Sequence, residues 1–479
     1  MLFNSLHFFI FFLVVTTMYY MLSHSKRWVL LLLSSCYFYM AFVPIYLLIL
    51  LFTIIVDYFA GIYIDKSVGE KRKIFLIFSL IANISVLAIF KYYNFINENF
   101  TFLLHGFTIE NPLPYLNILL PIGLSFHTFQ AMSYTIEIYY GRQKVEKHFG
   151  IYALYVMFYP QLVAGPIERP QNLLHQFKEE HHFDYNRVTS GLRLMAWGLF
   201  KKVVIADRLA ILVNQVYDNP SQYSSLDLSI ATVLFAYQIF CDFSGYSDIA
   251  IGAARVMGFK LMTNFNMPYH SRSIHEFWKR WHISLSTWFK DYLYIPLGGN
   301  RVNIPRWYLN LFIVFLVSGI WHGANWTFAI WGALHGFYLV FSLIIRSFRT
   351  KINQKLHLDK LQFFSIITTF ILVCFAWIFF RAENIQIAKY IAKHIVLGIP
   401  QLVNDLVLLK TGLDNDILIK GLLLIVFLEI AHLLQRKINI LDILLNKGVI
   451  FRWSIYTLLV FILVFYGVYG ESQFIYFQF

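Results

Sequence analysis

Long apolar runs recur along most of the 479-residue chain. Each run is close to the roughly 20 residues that a helix needs to cross a hydrocarbon core of about 30 Å. A transmembrane β-barrel would instead show short segments in which polar and apolar residues alternate. The pattern therefore predicts an all-α polytopic integral membrane protein with about 10–12 membrane helices. The clearest runs are residues 6–22, 28–43, 45–64, 74–90, 361–380, 417–434 and 453–468.

The character of these runs changes along the chain. Residues 1–140 are cleanly apolar, residues 150–346 mix apolar runs with polar and Pro/Gly-rich motifs, and residues 361–479 become apolar again. Because no tandem repeat separates the three stretches, we expect a single membrane domain. The motif VAGPIERP at 163–170 should break a helix, which fits either re-entrant structure around a cavity or a loop at the membrane surface. Residues 187–209 fit either an interfacial amphipathic helix or a span.

The charge distribution indicates orientation rather than a nucleic-acid partner. The formal net charge is +13, although only 14% of the residues are charged. Basic residues concentrate in the connections at 23–27, 65–73 and 142–148, whereas those at 43–44 and 92–114 are poor in Lys and Arg. The positive-inside rule then predicts cytoplasmic basic connections and an external N-terminus. We expect most of these charges to contact water or lipid headgroups.

Polar side chains interrupt the apolar stretch 226–259. A charge at the bilayer centre costs roughly 2.5–3.5 kcal/mol on insertion scales, so such groups face a partner or a water-filled interior. Asp242 and Arg255 are one possible pair, and the pattern fits either a structural network or contact with a substrate. The polar residues proposed to line a substrate path here are Gln238, Asp242, Ser244 and Tyr246.

The next segment, 267–301, predicts a helix at the membrane interface. Ser273 and Glu276 have the spacing of a capping box, and tryptophans follow at helical spacing, a composition typical of headgroup depth. On such a helix His282 follows Trp281 and shares a face with Ser286. We therefore include these three residues among the candidate site residues.

A second histidine, His322, lies in the apolar segment SGIWHGANW at 318–326. An ionisable group within a span is a functional candidate by default, although a lone histidine there is often a buried structural group with a partner. The neighbouring glycines predict close backbone approach. Ser318, one turn earlier and able to hydrogen-bond to His322, and Trp321, which precedes it, are further candidates to line the substrate path. His335 is a rival that shares a site with His322 only if the chain breaks at GANW.

Several motifs resemble those of the membrane-bound O-acyltransferase family. They are FWKRWHISLSTWFKDYLYIPLGGNR, SGIWHGANWTFAIWGALHG, VAGPIERP and YQIFCDFSGYSDIAIG. The chain is most similar to the bacterial branch that acetylates alginate or peptidoglycan. The resemblance implies a ring of helices around a central funnel or tunnel, with the catalytic core in 150–346. It also implies that the family's invariant histidine is His322 and that its second position, often Asn in other branches, is His282.

The resemblance implies acyl transfer from a thioester, with acetyl-CoA as the expected donor, a polysaccharide hydroxyl as acceptor, and no permanently bound cofactor or metal. A neutral imidazole suits general-base catalysis near neutral pH, so His322 is expected to be the base. An acyl-histidine relay in which His322 is the nucleophile is the alternative. His282 is expected to orient the acceptor or to help stabilise the oxyanion.

The same resemblance implies a bacterial cytoplasmic-membrane location and a separate extracytoplasmic acetyltransferase that attaches the acetyl group to the polymer. The competing interpretation is a transporter or channel with a path through His322, Asp242 and Asp248. Transporters often contain internal repeats with paired broken helices, and we find no such duplication in this sequence. A structural subunit without chemistry of its own is a third possibility.

Overall fold

The computed structural model describes residues 1–117, 121–346, 362–408, 410–436, 447–469 and 474–475, and all regular elements in these ranges are helical. Eight of the described helices are long and apolar enough to cross a membrane, and Leu6–Met21 is a shorter apolar helix. The predicted all-α polytopic class is therefore confirmed. The polar stretch 347–360 that separates the middle and last predicted stretches lies outside the described residues.

The described chain packs as two compact units that interleave in sequence. The first contains Met1–Met195 and Tyr246–Met262, and the second contains Ala196–Gly245 and Thr263–Phe479. Helices α9 (Tyr185–Leu199) and α11 (Ser225–Met257) each contribute residues to both units.

The first unit holds the N-terminal helices. They are α1 (Leu6–Met21), α2 (His24–Met40), α3 (Tyr46–Lys66), α4 (Glu70–Leu87), α5 (Tyr93–His105), α6 (Leu124–Tyr139), α7 (Phe149–Met157) and α8 (Pro170–Leu173). A π-helical segment, Ala88–Tyr92, joins α4 to α5 into one 36-residue helix. The prediction that 92–114 is a simple connection is therefore wrong as far as His105. At 1.5 Å per residue this helix exceeds the hydrocarbon thickness, so one end of it extends into the headgroup region or beyond.

The VAGPIERP segment of the first unit is irregular and buried. Val163, Ile167 and Glu168 are almost inaccessible, so protein covers this segment, and its depth in the membrane stays a prediction. The Glu168 carboxylate accepts hydrogen bonds from the Met262 backbone N–H, at 2.5 Å, and from the Asn172 side chain. Burial raises the pKa of Glu168 to about 7. The irregular backbone is tolerated because protein surrounds it on all sides.

The second unit holds the remaining helices. They are α10 (Asp207–Asp218), α12 (Ile274–Arg280), α13 (Ile283–Phe289), α14 (Ile304–His322), α15 (Trp326–Ile344), α16 (Gln362–Arg381), α17 (Ile385–Leu397), α18 (Ile399–Val407), α19 (Asn415–Gln435) and α20 (Val449–Tyr466). The π-helical segment Phe200–Ala206 precedes α10 and is buried throughout. Lys201 and Lys202 therefore lie inside the protein and not against lipid headgroups, and the choice between an interfacial helix and a span stays a prediction.

Two breaks in the second unit decide where the candidate histidines lie. The segment from Ser273 begins as predicted, because Ser273 Oγ accepts from the Glu276 N–H at 3.1 Å. The helix ends at Arg280, however, and α13 begins after His282. The prediction of one continuous helix is therefore wrong. The second break separates α14 from α15 at residues 323–325.

Candidate functional site

His322 is the last residue of α14 and is 3% exposed. Aromatic rings surround its imidazole, with centroids 4.9 Å away for Trp321, 4.9 Å for Trp331 and 5.4 Å for Phe380. The sequence suggested a histidine in the middle of a span, whereas the structure places it where the helix ends. Gly323 continues the chain in an extended conformation. His322 therefore faces protein rather than lipid, and its backbone lies beside a break where the helical hydrogen-bond ladder stops.

Glycines bring α14 and α15 into close contact just before this break. A Cβ on Gly319 would lie 2.3 Å from the Phe328 carbonyl oxygen, and one on Gly332 would lie 2.3 Å from the Phe315 carbonyl oxygen. A Cβ on Gly323 would overlap the Phe328 ring at 2.1 Å. The predicted close backbone approach around His322 is confirmed. Because a side chain at Gly319 or Gly332 would push the two backbones apart, these two glycines set the position of His322 against α15.

His282 lies between α12 and α13 in the left-handed region, with φ +43° and ψ +57°. The residue is fully buried, and this burial lowers the pKa of its imidazole to about 3. Non-glycine residues adopt this conformation at a cost, and such strain concentrates at functional sites. Because its pKa is low, the imidazole is neutral near neutral pH. The surrounding protein holds it in place.

The tautomer of His282 follows from its hydrogen-bond partner. Its Nδ1 lies 3.1 Å from Asn264 Oδ1, which also accepts from the Ser284 hydroxyl at 3.0 Å and from the Ser284 N–H at 3.3 Å. An amide oxygen only accepts, so the proton of the neutral ring belongs on Nδ1 and the lone pair on Nε2. No sequence pattern indicates Asn264, because it lies in a loop 18 residues away with no periodicity to link it to His282.

Trp321 brings the two candidate histidines together. Its indole centroid is 4.9 Å from that of His322 and 6.5 Å from that of His282. Phe243 contacts His282 edge-on at 4.6 Å. The second unit thus places the two imidazoles around one buried indole, a spatial relation that their 40-residue separation does not reveal.

The rival histidine, His335, joins this group through another tryptophan. Trp331 has its ring centroid 4.9 Å from His322 and 5.0 Å from His335. A shared site requires a chain break at GANW, and residues 323–325 do separate α14 from α15. The Trp278 indole N–H donates to His335 Nδ1 at 3.3 Å, which fixes the remaining proton of a neutral ring on Nε2.

Asp242 and Ser244 of α11 contact the lysines Lys202 and Lys201, and neither contacts Arg255. Asp242 pairs with Lys202 at 2.7 Å and accepts from the Ile475 N–H at 2.7 Å. Lys202 also pairs with Asp207 at 2.8 Å, and the two carboxylates raise its pKa despite the opposing effect of burial. The proposed pairing of Asp242 with Arg255 is wrong, because Arg255 donates to Ser190 instead.

The other predicted lining residues are distributed over both units. Ser244 accepts from Lys201 at 2.9 Å, and Gln238 is buried on the same helix. Tyr246 belongs to the first unit, where it stacks on Phe3 at 4.4 Å. Trp281 and Ser318 are buried in the second unit, and Ser286 is half-buried with its hydroxyl donating to the Trp281 carbonyl at 3.2 Å. Their proposed contact with a substrate stays a prediction.

Comparison with known proteins gives one consistent family. Residues 140–385 match the membrane-bound O-acyltransferase family model. A peptidoglycan O-acetyltransferase of Helicobacter pylori is 36% identical over 390 residues, which cover 76% of this chain and 72% of that protein. A probable alginate O-acetylase of Pseudomonas aeruginosa is 40% identical over 336 residues, or 69% of this chain and 62% of the relative.

A more distant similarity extends to a different acyl group. A teichoic acid D-alanyltransferase of Bacillus subtilis is 26% identical over 282 residues, which cover 56% of this chain and 70% of the relative. The match to the family model includes both His282 and His322. The chain spans less than two thirds of the length of the alginate relative.

Proposed function

Because the chain belongs to the membrane-bound O-acyltransferase family, we propose that it moves an acetyl group from a cytoplasmic thioester donor across the membrane for O-acetylation of an extracytoplasmic polysaccharide. The observation that carries the proposal is that the imidazoles of His282 and His322 both pack near the Trp321 indole. The donor that best fits is acetyl-CoA. The activities of the peptidoglycan O-acetyltransferase and of the probable alginate O-acetylase support acetyl as the acyl group and a polysaccharide as the final acceptor.

The reaction needs one base and a site free of bulk water. An acceptor hydroxyl oxygen attacks the thioester carbonyl carbon while an imidazole nitrogen takes the hydroxyl proton. The C–S bond then breaks, and the thiolate leaves with that proton, so the imidazole returns to its neutral form. Burial of His322 among aromatic rings supports its role as the base, since water that would hydrolyse the thioester is excluded.

The hydrogen bonding of His282 favours one of its two expected roles. With its proton on Nδ1, the neutral ring presents a lone pair at Nε2, which accepts a hydrogen bond and cannot donate one. An oxyanion needs donors. We therefore assign His282 to orient the acceptor, by accepting from a hydroxyl other than the one that His322 deprotonates, rather than to stabilise the oxyanion, with Asn264 as a positioning residue behind it.

The partner and orientation follow the same proposal. A separate extracytoplasmic acetyltransferase receives the acetyl group and attaches it to the polymer. The protein resides in the bacterial cytoplasmic membrane, with the N-terminus outside and the basic connections inside. The eight apolar helices support the multi-pass arrangement.

The test compares His322→Ala with His175→Ala in cells that lack any paralogue. His175 is exposed in the first unit, 3.8 Å from Glu179, and serves as the matched control. We expect the H322A protein to be made at wild-type levels while acetyl esters disappear from the envelope glycans by mass spectrometry. H175A should retain them. Acetylation that persists in H322A would remove His322 from the mechanism.

A second measurement separates the two roles of His322. Purified protein is mixed with radiolabelled acetyl-CoA without acceptor and quenched. A general base leaves no label on the chain, whereas an acyl-histidine relay leaves label that H322A loses. Label that H322A retains would place the acyl group elsewhere.

A further inference from the structure

The second unit contains a cluster of ionisable side chains outside the acyl-transfer site. His270 ends the 3₁₀ turn Pro268–His270, and Glu429 and His432 lie one helical turn apart on α19. One ligand atom from each of the three side chains lies within 4.8 Å of the others. Two imidazoles and one carboxylate at this spacing form a set of donors that the mechanism does not use.

The contacts inside this cluster leave one nitrogen without a bond. His270 Nε2 meets one oxygen of Glu429, whereas His432 Nδ1 lies 3.8 Å from the other oxygen, too far for a hydrogen bond. His432 is 7% exposed, and its Nδ1 has no hydrogen-bond partner among the described residues. A buried polar atom without a partner destabilises the fold, and a ligand between His432 and Glu429 would supply that partner.

We propose that His270, Glu429 and His432 bind a divalent transition-metal ion, with Zn²⁺ the best match. Imidazole nitrogen with one carboxylate oxygen is a common three-residue zinc set, in which water completes a tetrahedron. Softer thiolate sites or all-oxygen sites would instead select other metals. The carboxylate offsets one of the two positive charges of the ion, and the two neutral rings supply lone pairs without adding charge.

Arg436 contacts one of the rings that would bind the ion. Its guanidinium donates to His270 Nδ1 at 2.5 Å, so in this arrangement Nδ1 is the acceptor and the proton is on Nε2. Metal binding at Nε2 moves that proton to Nδ1, which then no longer accepts from Arg436. The Arg436 side chain is exposed and is free to turn into solvent. The ion and Arg436 therefore compete for His270.

The bound ion would connect two parts of the second unit. The turn that ends at His270 lies four residues before α12, and α12 leads directly into His282. A metal that joins this turn to α19 would fix the start of the segment that carries the second catalytic imidazole. Zn²⁺ binding by these three side chains does not depend on acetyl transfer.

Zn²⁺ titration of the full-length protein tests the site. The protein is purified in detergent with a tag that lacks histidine, stripped of metal, and titrated by calorimetry. We expect one saturable Zn²⁺ per chain, with binding weakened by at least about 10–100-fold in His432→Ala and Glu429→Gln. The control His175→Ala, which removes an exposed His–Glu pair, should bind like the wild type. Arg436→Ala should bind more tightly, because its competition is removed.

Two further readouts keep the test decisive. His432→Ala opens a buried space, so the half-buried His270→Asn serves as a second variant that leaves the core of α19 intact. Co²⁺ in place of Zn²⁺ should give the visible spectrum of a tetrahedral site in the wild type and not in H270N. Wild-type protein without saturable binding, or H270N and H432A with wild-type affinity, would overturn the proposal. Unchanged affinity in R436A would overturn the competition step.

Discussion

A single amide side chain governs the chemistry available to His282. Asn264 Oδ1 accepts from the ring and from two donors of Ser284, so it is fully used and cannot rotate without loss of several hydrogen bonds. The cost of a buried donor left unpaired is about 1–3 kcal/mol. This arrangement keeps the Nδ1–H tautomer and orients the ring while the backbone is held left-handed.

The low pKa of His282 predicts acid sensitivity of the fold. Burial lowers this pKa to about 3, against about 6.5 for an unfolded histidine. Below about pH 6.5 the unfolded chain binds a proton that the folded chain does not, so the free energy of unfolding falls as pH falls, by about 1.4 kcal/mol per pH unit. Melting in detergent from about pH 7 to about pH 5 measures this.

The variant His282→Asn isolates that contribution, because asparagine tolerates the left-handed backbone. We expect the melting temperature of H282N to fall less steeply with pH than that of the wild type, while the exposed-site control H175A follows the wild type. Equal slopes in H282N and wild type would mean that His282 is not the group that binds the proton on unfolding.

The sequence identified both site histidines but not their surroundings. His322 was predicted because an ionisable group in an apolar segment is costly to bury, and motif resemblance indicated both His322 and His282. Trp331, Phe380 and Asn264 were missed, because aromatic residues in an apolar helix are ordinary core residues by composition, and a loop asparagine has no pattern. Side-chain proximity between distant elements arises from packing, which a local pattern does not encode.

At the scale of elements, the hairpin of α14 and α15 sets the position of His322. Gly319 and Gly332 face each other so closely that a Cβ on Gly319 would be 2.9 Å from Gly332 Cα as well as 2.3 Å from the Phe328 carbonyl oxygen. Backbone atoms cannot yield as a flexible side chain can. Only separation of the two helices would make room for even one methyl group.

The substitution Gly319→Ala is therefore expected to destabilise the protein by about 1–3 kcal/mol, the usual cost of overpacking. Acetyl transfer should fall with it, since His322 lies three residues further along α14. Gly448→Ala is the matched control, because its Cβ would meet nothing within 4 Å and its φ is −55°. Melting temperature and glycan acetylation are measured for both. Wild-type values for G319A would show that the helix contact does not position His322.

Helix existence was more predictable than helix continuity. The apolar runs at 45–64 and 417–434 became α3 and α19 within a few residues, because the length of a span is set by the bilayer. The break at His282 was missed, because the tryptophans on both sides keep helical spacing across it. A left-handed residue inside a periodic pattern leaves no trace in hydropathy, and only tertiary contacts such as those of Asn264 stabilise it.

At the scale of the whole molecule, basic residues serve two different purposes. Lys202 is buried between Asp207 and Asp242, where its charge is matched within the protein. The residues Lys66, Lys71 and Lys73 instead flank the short connection between α3 and α4, where exposed positions predominate. Only the second kind bears on orientation, because the positive-inside rule concerns charges that stay outside the hydrocarbon region.

That rule predicts opposite sides for the two ends of the 36-residue helix Glu70–His105. Val68, before its start, is 86% exposed beside the basic residues, and Phe107, after its end, is 74% exposed in a connection without Lys or Arg. In a background with the three cysteines replaced, Phe107→Cys in intact spheroplasts should react with a membrane-impermeant maleimide, whereas Val68→Cys should react only after lysis. The reverse pattern would place the N-terminus in the cytoplasm. It would also reverse the proposed direction of acetyl movement, because the same charges set the orientation of every later helix.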